Sequence, residues 1–183
     1  MLYTDGCEVS LETTFLDNNG ASGNVFNIEV SQALSIFGMA VHLNSVASQQ
    51  VKVYLKSGSY TATAPHGFDA NDLIYDSSVT GAGLGNPTDL PGFPAQELAI
   101  PGTYSIMVIN PGGTTRYTNG VTEGAIYASN PGEMAITEGK GCGGDLSCTF
   151  TPRVWNGRLT YALSGPSRAP TDQPTDSPVH VHI

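Results

Sequence analysis

The sequence predicts an all-β domain, an antiparallel β-sandwich of jelly-roll type with roughly eight to ten strands. Short runs of alternating or β-branched apolar residues recur along the chain. Dense turn signals separate them: "DNNGASGN", "NSVASQQ", "GAGLGNPTDLPGFP", "NPGGTTRYTNG" and "NPGE". No apolar stretch keeps a 3.6-residue period for more than about ten residues, so helices of ordinary length are not expected.

Each run supports a strand on its own terms. "VFNIEVSQALSIFG" has the length for a helical turn, but its β-branched residues favour extended backbone. "SIFGMAVHL" puts Phe37, Met39, Val41 and Leu43 on one face. "VKVYLKSGSY" alternates cleanly, with Val51, Val53 and Leu55 on one side and Lys52, Tyr54 and Lys56 on the other. "TYSIMVIN" is a β-branched run suited to the centre of a sandwich, and "EGAIYAS", "EMAITEG" and "RVWNGRLTYAL" complete the set.

These runs place one domain at residues 10–164, after a lead-in at 1–9. From 165 to 183 the composition changes to "GPSRAPTDQPTDSPVHVHI", a Pro/Thr/Asp-rich extended linker or tail. The start, "MLYTDGCEVS", has neither a basic nor an apolar signal region, so no signal peptide is read there.

Seven basic residues against sixteen acidic ones give a net charge of −9. That balance excludes the basic footprint that nucleic acid or an anionic lipid surface requires. No apolar run approaches a membrane span, so no membrane insertion is expected. The charged share, 13%, is low beside the usual share of about 25%, and with 22 glycines it suits an extracellular β protein.

Of three cysteines, Cys142 and Cys148 lie in "GCGGDLSCT", where glycines let the chain fold back. They predict a local disulfide contributing roughly 2–3 kcal/mol through loop entropy. Without histidine partners at suitable spacing they make a poor zinc site, and Cys7 is left over.

Trp155 is the chain's single tryptophan, between Arg153 and Arg158. Asn156-Gly157 behind it predicts a type I′ turn and a tight hairpin. In a sandwich this points to a buried core plug, with Arg153 pairing a buried carboxylate or loop carbonyls. In "GAGLGN" the glycines allow positive φ in a loop. The following "PTDLPGFP" forbids the helix that a dinucleotide site needs. Asp17, Asn18 and Asn19 could supply oxygens to a structural calcium ion, or form an Asx-rich turn that satisfies itself. His66, Asp69, Asp72 and Asp76 read as a solvated loop rather than a metal or acid–base site, and His42 as a satisfied strand residue. His180 and His182 in the tail carry no site.

The segments "TTFLDNNGASGNVFNIEV", "VKVYLKSGSY", "VTGAGLGNPTDL", "IPGTYSIMVIN", "RYTNGVTEGAIYASN" and "FTPRVWNGRLTYAL" come in an order that resembles a family of β-sandwich modules. These modules occur in secreted, often multi-domain bacterial and algal surface proteins. The resemblance spans about residues 11–163. It implies a sandwich standing beside adhesion, carbohydrate-binding or hydrolase domains, with no enzymatic activity of its own. Where similar modules carry an aromatic "W-x-L-V" strand, this chain has "DANDLIYDSSVT".

Function follows as an expectation. The exposed face of "KVYLKSGSY", with Lys52, Tyr54, Lys56 and Tyr60, is the candidate ligand surface, and Tyr117 and Tyr127 could extend it. The chain reads as a non-catalytic extracellular module for adhesion or glycan and matrix binding, its partner a polysaccharide or an extracellular protein. A purely structural spacer is the first alternative. A small secreted hydrolase drawing on Glu97, Glu123, Glu133 and Glu138 is the second.

Overall fold

A computed structural model describes residues 8–144 and 146–164. Cys7, His180, His182 and the 165–183 segment lie outside the described residues. The first strands are β1 (Val9–Glu12), β2 (Asn19–Ala21), β3 (Gly23–Val30), β4 (Leu34–Val41) and β5 (Ser48–Ser57). A single 3-10 turn at Ala70–Asp72 leads into β6 (Leu73–Thr80), β7 (Thr88–Asp89) and β8 (Gln96–Leu98). The second half holds β9 (Gly102–Ile109), β10 (Thr115–Asn119), β11 (Ile126–Asn130), β12 (Met134–Thr137), β13 (Gly139–Cys142), β14 (Phe150–Trp155) and β15 (Gly157–Leu163). Nine of these fifteen strands have five residues or more, the class that side-chain periodicity can reveal. The other six are short pairings made by loop segments.

Two antiparallel sheets result. The smaller runs β1-β15-β4-β7, with β8 also on β4. The larger runs β2-β10-β14-β13-β3-β9-β5-β6, and β12 with β11 continues beside the far half of β3. Between the sheets lies one apolar core. Phe26, Ile28, Val53, Ile106 and Val108 of the large sheet meet Leu34, Ile36, Met39, Leu159 and Tyr161 of the small one. This is the predicted sandwich.

Two sequence expectations are corrected here. β4 does not keep Phe37 in register with Met39 and Val41. Its pairing with β15 slips between Thr160, opposite Gly38, and Tyr161, opposite Ile36, so Phe37 is an extra, bulged residue. Inward parity changes at that point: Leu34 and Ile36 are buried before it, Met39 and Val41 after it, and Phe37 stays half-exposed.

The second correction concerns Asn156-Gly157. β14 and β15 are not hairpin partners but belong to different sheets, so the dipeptide is a corner where the chain crosses the sandwich. Trp155 is buried and stacks on Phe26 with ring centroids 4.6 Å apart. Its ring folds back over Gly157, where any β-carbon would lie well inside contact distance of the indole. Thr13 braces the corner, its hydroxyl donating to the Trp155 and Gly157 carbonyls and accepting the Gly157 N–H at 3.0 Å. Gly157 is needed for close approach, not for positive φ. Replacing it with alanine is therefore expected to cost about 3 kcal/mol through overpacking. Urea unfolding measures this, and a loss of about 1 kcal/mol or less would mean that the indole does not cover residue 157.

Candidate functional site

β3 and β9 sit in the middle of the large sheet and are apolar on both faces. Phe26 and Ile28 point inward with Ile106 and Val108, while Val25, Met107 and Ile109 point outward. Leaving that outer strip wet would waste most of its transfer free energy. Two segments cover it. Residues 58–72 contribute Phe68 and Tyr60, and the loop closed by the Cys142–Cys148 disulfide contributes both half-cystines and Leu146. The predicted disulfide thus staples a second, smaller core on the outer face.

His66 joins the two covers and is buried, which corrects its reading as part of a solvated loop. Its Nδ1 donates to the Thr61 carbonyl at 2.7 Å, and its Nε2 accepts the Cys148 N–H at 3.0 Å. Its φ of 63° is left-handed, a conformation costing a non-glycine residue about 1 kcal/mol or more. Asp69 and Asp72 form a capping box around the 3-10 turn, and Asp76 pairs with Lys52.

Four residues gather beside this cover. The Tyr60 hydroxyl donates to Glu123 Oε1 at 2.8 Å, and the Thr151 hydroxyl donates to Glu123 Oε2 at 2.6 Å. Lys140 Nζ lies 3.5 Å from Glu123 Oε1 and 6.0 Å from the centre of the Tyr60 ring. The Tyr60 N–H donates to Asn27 of β3 at 3.4 Å, fixing the cluster to the sheet. Loop 120–125 presents Glu123 because buried Glu138 organises it. One Glu138 carboxylate oxygen accepts the Val121 and Thr122 N–H groups at 2.6 and 2.7 Å. The Glu138 carbonyl accepts the Gly124 N–H, and its own N–H donates to Ala125. Gly120 passes so close to this carboxylate that no side chain fits there.

The electrostatics of the cluster follow from this packing. Burial pushes the Tyr60 hydroxyl well above the ordinary phenol range, and the bond to Glu123 and its charge push it further. For Glu123 burial acts upward, but the hydroxyls of Thr151 and Tyr60 and the Lys140 charge outweigh it and hold the carboxyl below its usual value. At neutral pH a neutral phenol therefore donates to a carboxylate that already has three partners. Such a group is a poor base and a poor nucleophile.

Around the cluster the surface turns apolar. β11 pairs with β12 with a slip between Ile126 and Ala128, so Tyr127 is the extra residue of a β-bulge. Ile126, opposite Thr137, is 63% exposed, and Val121 in the Glu138-bound loop is 88% exposed. Tyr127 and Phe150, the latter next to Thr151, are also exposed.

The predicted ligand face is only partly realised. Lys52, Tyr54, Lys56 and Tyr60 do share the outer face, but they are engaged by β6, by the cover and by Glu123. Lys52 pairs with Asp76 at 3.3 Å. Tyr54 meets Phe68 edge-on at 6.2 Å. Lys56 donates to the Ser59 carbonyl at 2.9 Å and lies over the Phe68 ring. Tyr117 is corrected outright: it is buried on the inner face opposite Trp155, with the Arg153 guanidinium 5.5 Å from its ring centre. Arg153 donates to the Pro152 carbonyl, and Arg158 pairs with Asp89 at 2.8 Å.

Asp17, Asn18 and Asn19 each have a partner within the protein. Asp17 is ion-paired with Arg116. Asn18 accepts the Asn119 N–H at 2.9 Å, and Asn19 accepts the Gly20 N–H at 2.8 Å. Of the three, Asn19 bonds within the turn, while Asp17 and Asn18 are held by Arg116 and Asn119 of β10, so the turn is satisfied largely from β10 rather than by itself. No group of three or more His, Cys, Asp or Glu side chains converges among the described residues.

Of the remaining acids, Glu133 accepts the Tyr161 hydroxyl at 2.6 Å and Glu97 stands opposite Ser35 on β8. Burial and the bond to Glu133 push the Tyr161 hydroxyl up to about 12. A shallow depression of about 390 Å³ lies elsewhere, lined by Ser57, Ser59, Ile100, Pro101, Thr103 and Tyr104. The disulfide fits an oxidising compartment. Among the described residues no helix is long and apolar enough to cross a membrane.

The Tyr60–Glu123 bond gives a testable pH dependence. A carboxyl lowered in the folded state adds stability above its unfolded pKa, near 4.5, and that stability is lost as pH falls through the folded value. Glu123→Gln is expected to flatten the acid limb of the stability–pH profile. A Tyr60→Phe, Glu123→Gln double-mutant cycle is expected to give about 1 kcal/mol of coupling, since the carboxylate is partly exposed. Additive single mutants would refute the pairing.

No protein-family profile matches the chain, and no curated protein matches it.

Proposed function

We propose that this chain is a non-catalytic extracellular β-sandwich module that works by surface contact, serving adhesion or matrix attachment within a larger surface or secreted protein. The observation that carries the reading is the outer-face cluster. A rigid, chemically saturated Tyr60–Glu123–Lys140–Thr151 network is set beside exposed Val121 and Ile126. Apolar side chains on a stiff support, held outward by a bulge, suit a dry protein contact. Glu123, Glu133 and Glu138, three of the four acids that a hydrolase would draw on, accept from the protein's own donors, which favours binding over catalysis. The staple at Cys142–Cys148 and the resemblance to secreted sandwich modules support the extracellular setting.

An extracellular protein is the partner this surface favours. The depression between Ser57 and Tyr104 favours a second reading, a polysaccharide, because hydroxyls there flank Pro101 and Ile100. Two assays separate the readings: adsorption to surfaces coated with extracellular-matrix proteins, and affinity electrophoresis in gels cast with bacterial or algal polysaccharides. On the protein reading, Val121→Asp with Ile126→Asp reduces adsorption at least about tenfold without lowering thermal stability. Gel retention that survives that pair and is lost in Ser59→Trp would replace it with the polysaccharide reading.

A further inference from the structure

One end of the sandwich gathers loops 13–18, 42–47 and 81–87 around His42, a residue the outer-face cluster does not use. His42 is 1% exposed, and the Phe15 ring packs edge-on against it at 5.6 Å. Its Nε2 accepts the Gly85 N–H at 2.7 Å. An acceptor at Nε2 fixes the ring proton on Nδ1, which has no partner. The other hydrogen bonds of residues 82–87 stay within the loop and its junction with β7. Asn86 bonds to Gly83, Ala82 and Leu84, and Ala82 bonds to Thr88. Gly81, at the start, donates to Ala47. Among the described residues, the bond to His42 is thus the one that ties the loop's tip to the body.

We propose that His42 is a proton-operated latch on loop 81–87, closed when the imidazole is neutral and released when it is protonated. A proton on Nε2 turns the acceptor into a donor, so an N–H faces the Gly85 N–H and the tie becomes repulsive. The imidazolium finds no acceptor in its closed site, whereas an opened loop admits water to both nitrogens. Charged neighbours do not reverse this. Asp17 favours the cation and Arg116 opposes it, and the two are ion-paired with each other. On the adjoining strands, Asp89 is likewise paired with Arg158.

Burial holds the imidazole pKa below its ordinary value. The sign follows: an opened, solvated imidazole titrates near about 6.5 and takes the proton first, so the latch is fully closed above that value and loosens as pH falls below it. Gly83 and Gly85 have φ values of 84° and 78°, which leaves the freed tip wide conformational choice. Acid thereby loosens the end of the sandwich that displays Leu16, Val46 and Leu84.

Amide hydrogen exchange at Gly85, corrected for the intrinsic pH dependence of exchange, tests the latch between about pH 7.5 and pH 5. Protection is expected to begin falling below about pH 6.5, where the opened imidazole takes the proton, by up to about tenfold per pH unit, while β15 amides stay unchanged. His42→Gln, whose side-chain oxygen can accept without titrating, is expected to hold Gly85 protected at both values. His42→Phe leaves Gly85 unprotected at both. In the unaltered protein, the Gly85 amide and the His42 ring signals must titrate with one midpoint by NMR. Constant Gly85 protection across the range, separate midpoints, or an undiminished fall in His42→Gln would each overturn the proposal.

Discussion

The two-sided burial of β3 and β9 is the constraint from which most of the molecule follows. A strand that shows apolar side chains to both faces cannot sit in a sandwich with one side open to water. Val25, Met107 and Ile109 require a lid, and the fold supplies one from the 58–72 segment and the Cys142–Cys148 loop. The lid needs its own polar bookkeeping, which explains buried His66 and its bonds to Thr61 and Cys148. Tyr60 then leaves the lid at a point where its hydroxyl reaches Glu123. The outer-face cluster is a by-product of closing a second core.

Rigidity spreads outward from there. Glu123 is posed by the loop that Glu138 organises, and Glu138 sits at the break between β12 and β13, where the β3-paired chain changes course. Thr151 reaches the same carboxylate from β14. Three parts of the large sheet therefore meet at one side chain, and the apolar residues between them are displayed on fixed backbone. A contact surface of this kind loses little conformational entropy on binding.

The sandwich was legible because alternation in "VKVYLKSGSY" and the turn clusters between runs are local signals. The cysteine pair was legible from its glycine-rich spacing. The closed outer face has a local trace too: "SIMVIN" is apolar without alternation, the pattern of a strand buried on both faces, which speaks against an open face beside it. What stayed hidden depends on long-range placement. Phe37 changes sides because β15 lacks one residue opposite it. Tyr117 faces inward because β10 pairs with β14 in register with Trp155. Asn156-Gly157 has the composition of a hairpin, yet the indole behind it makes the same glycine serve a corner. The ion pair of Asp17 has no local trace because its arginine partner lies 99 residues away in sequence.

The place of β15 bears on how the chain assembles. Among the described strands β1 pairs with β15, which also lines the full length of β4, so Val9 meets Tyr161 across nearly the entire domain. During synthesis the large sheet can begin to form early, since β3, β5, β6 and β9 are already made by the time Ile109 emerges. The small sheet must wait for its middle strand. Until then Leu11, Ile36 and Met39 remain an uncovered half-core on the nascent chain, which makes this interval the one in which chaperones or premature aggregation would compete for it.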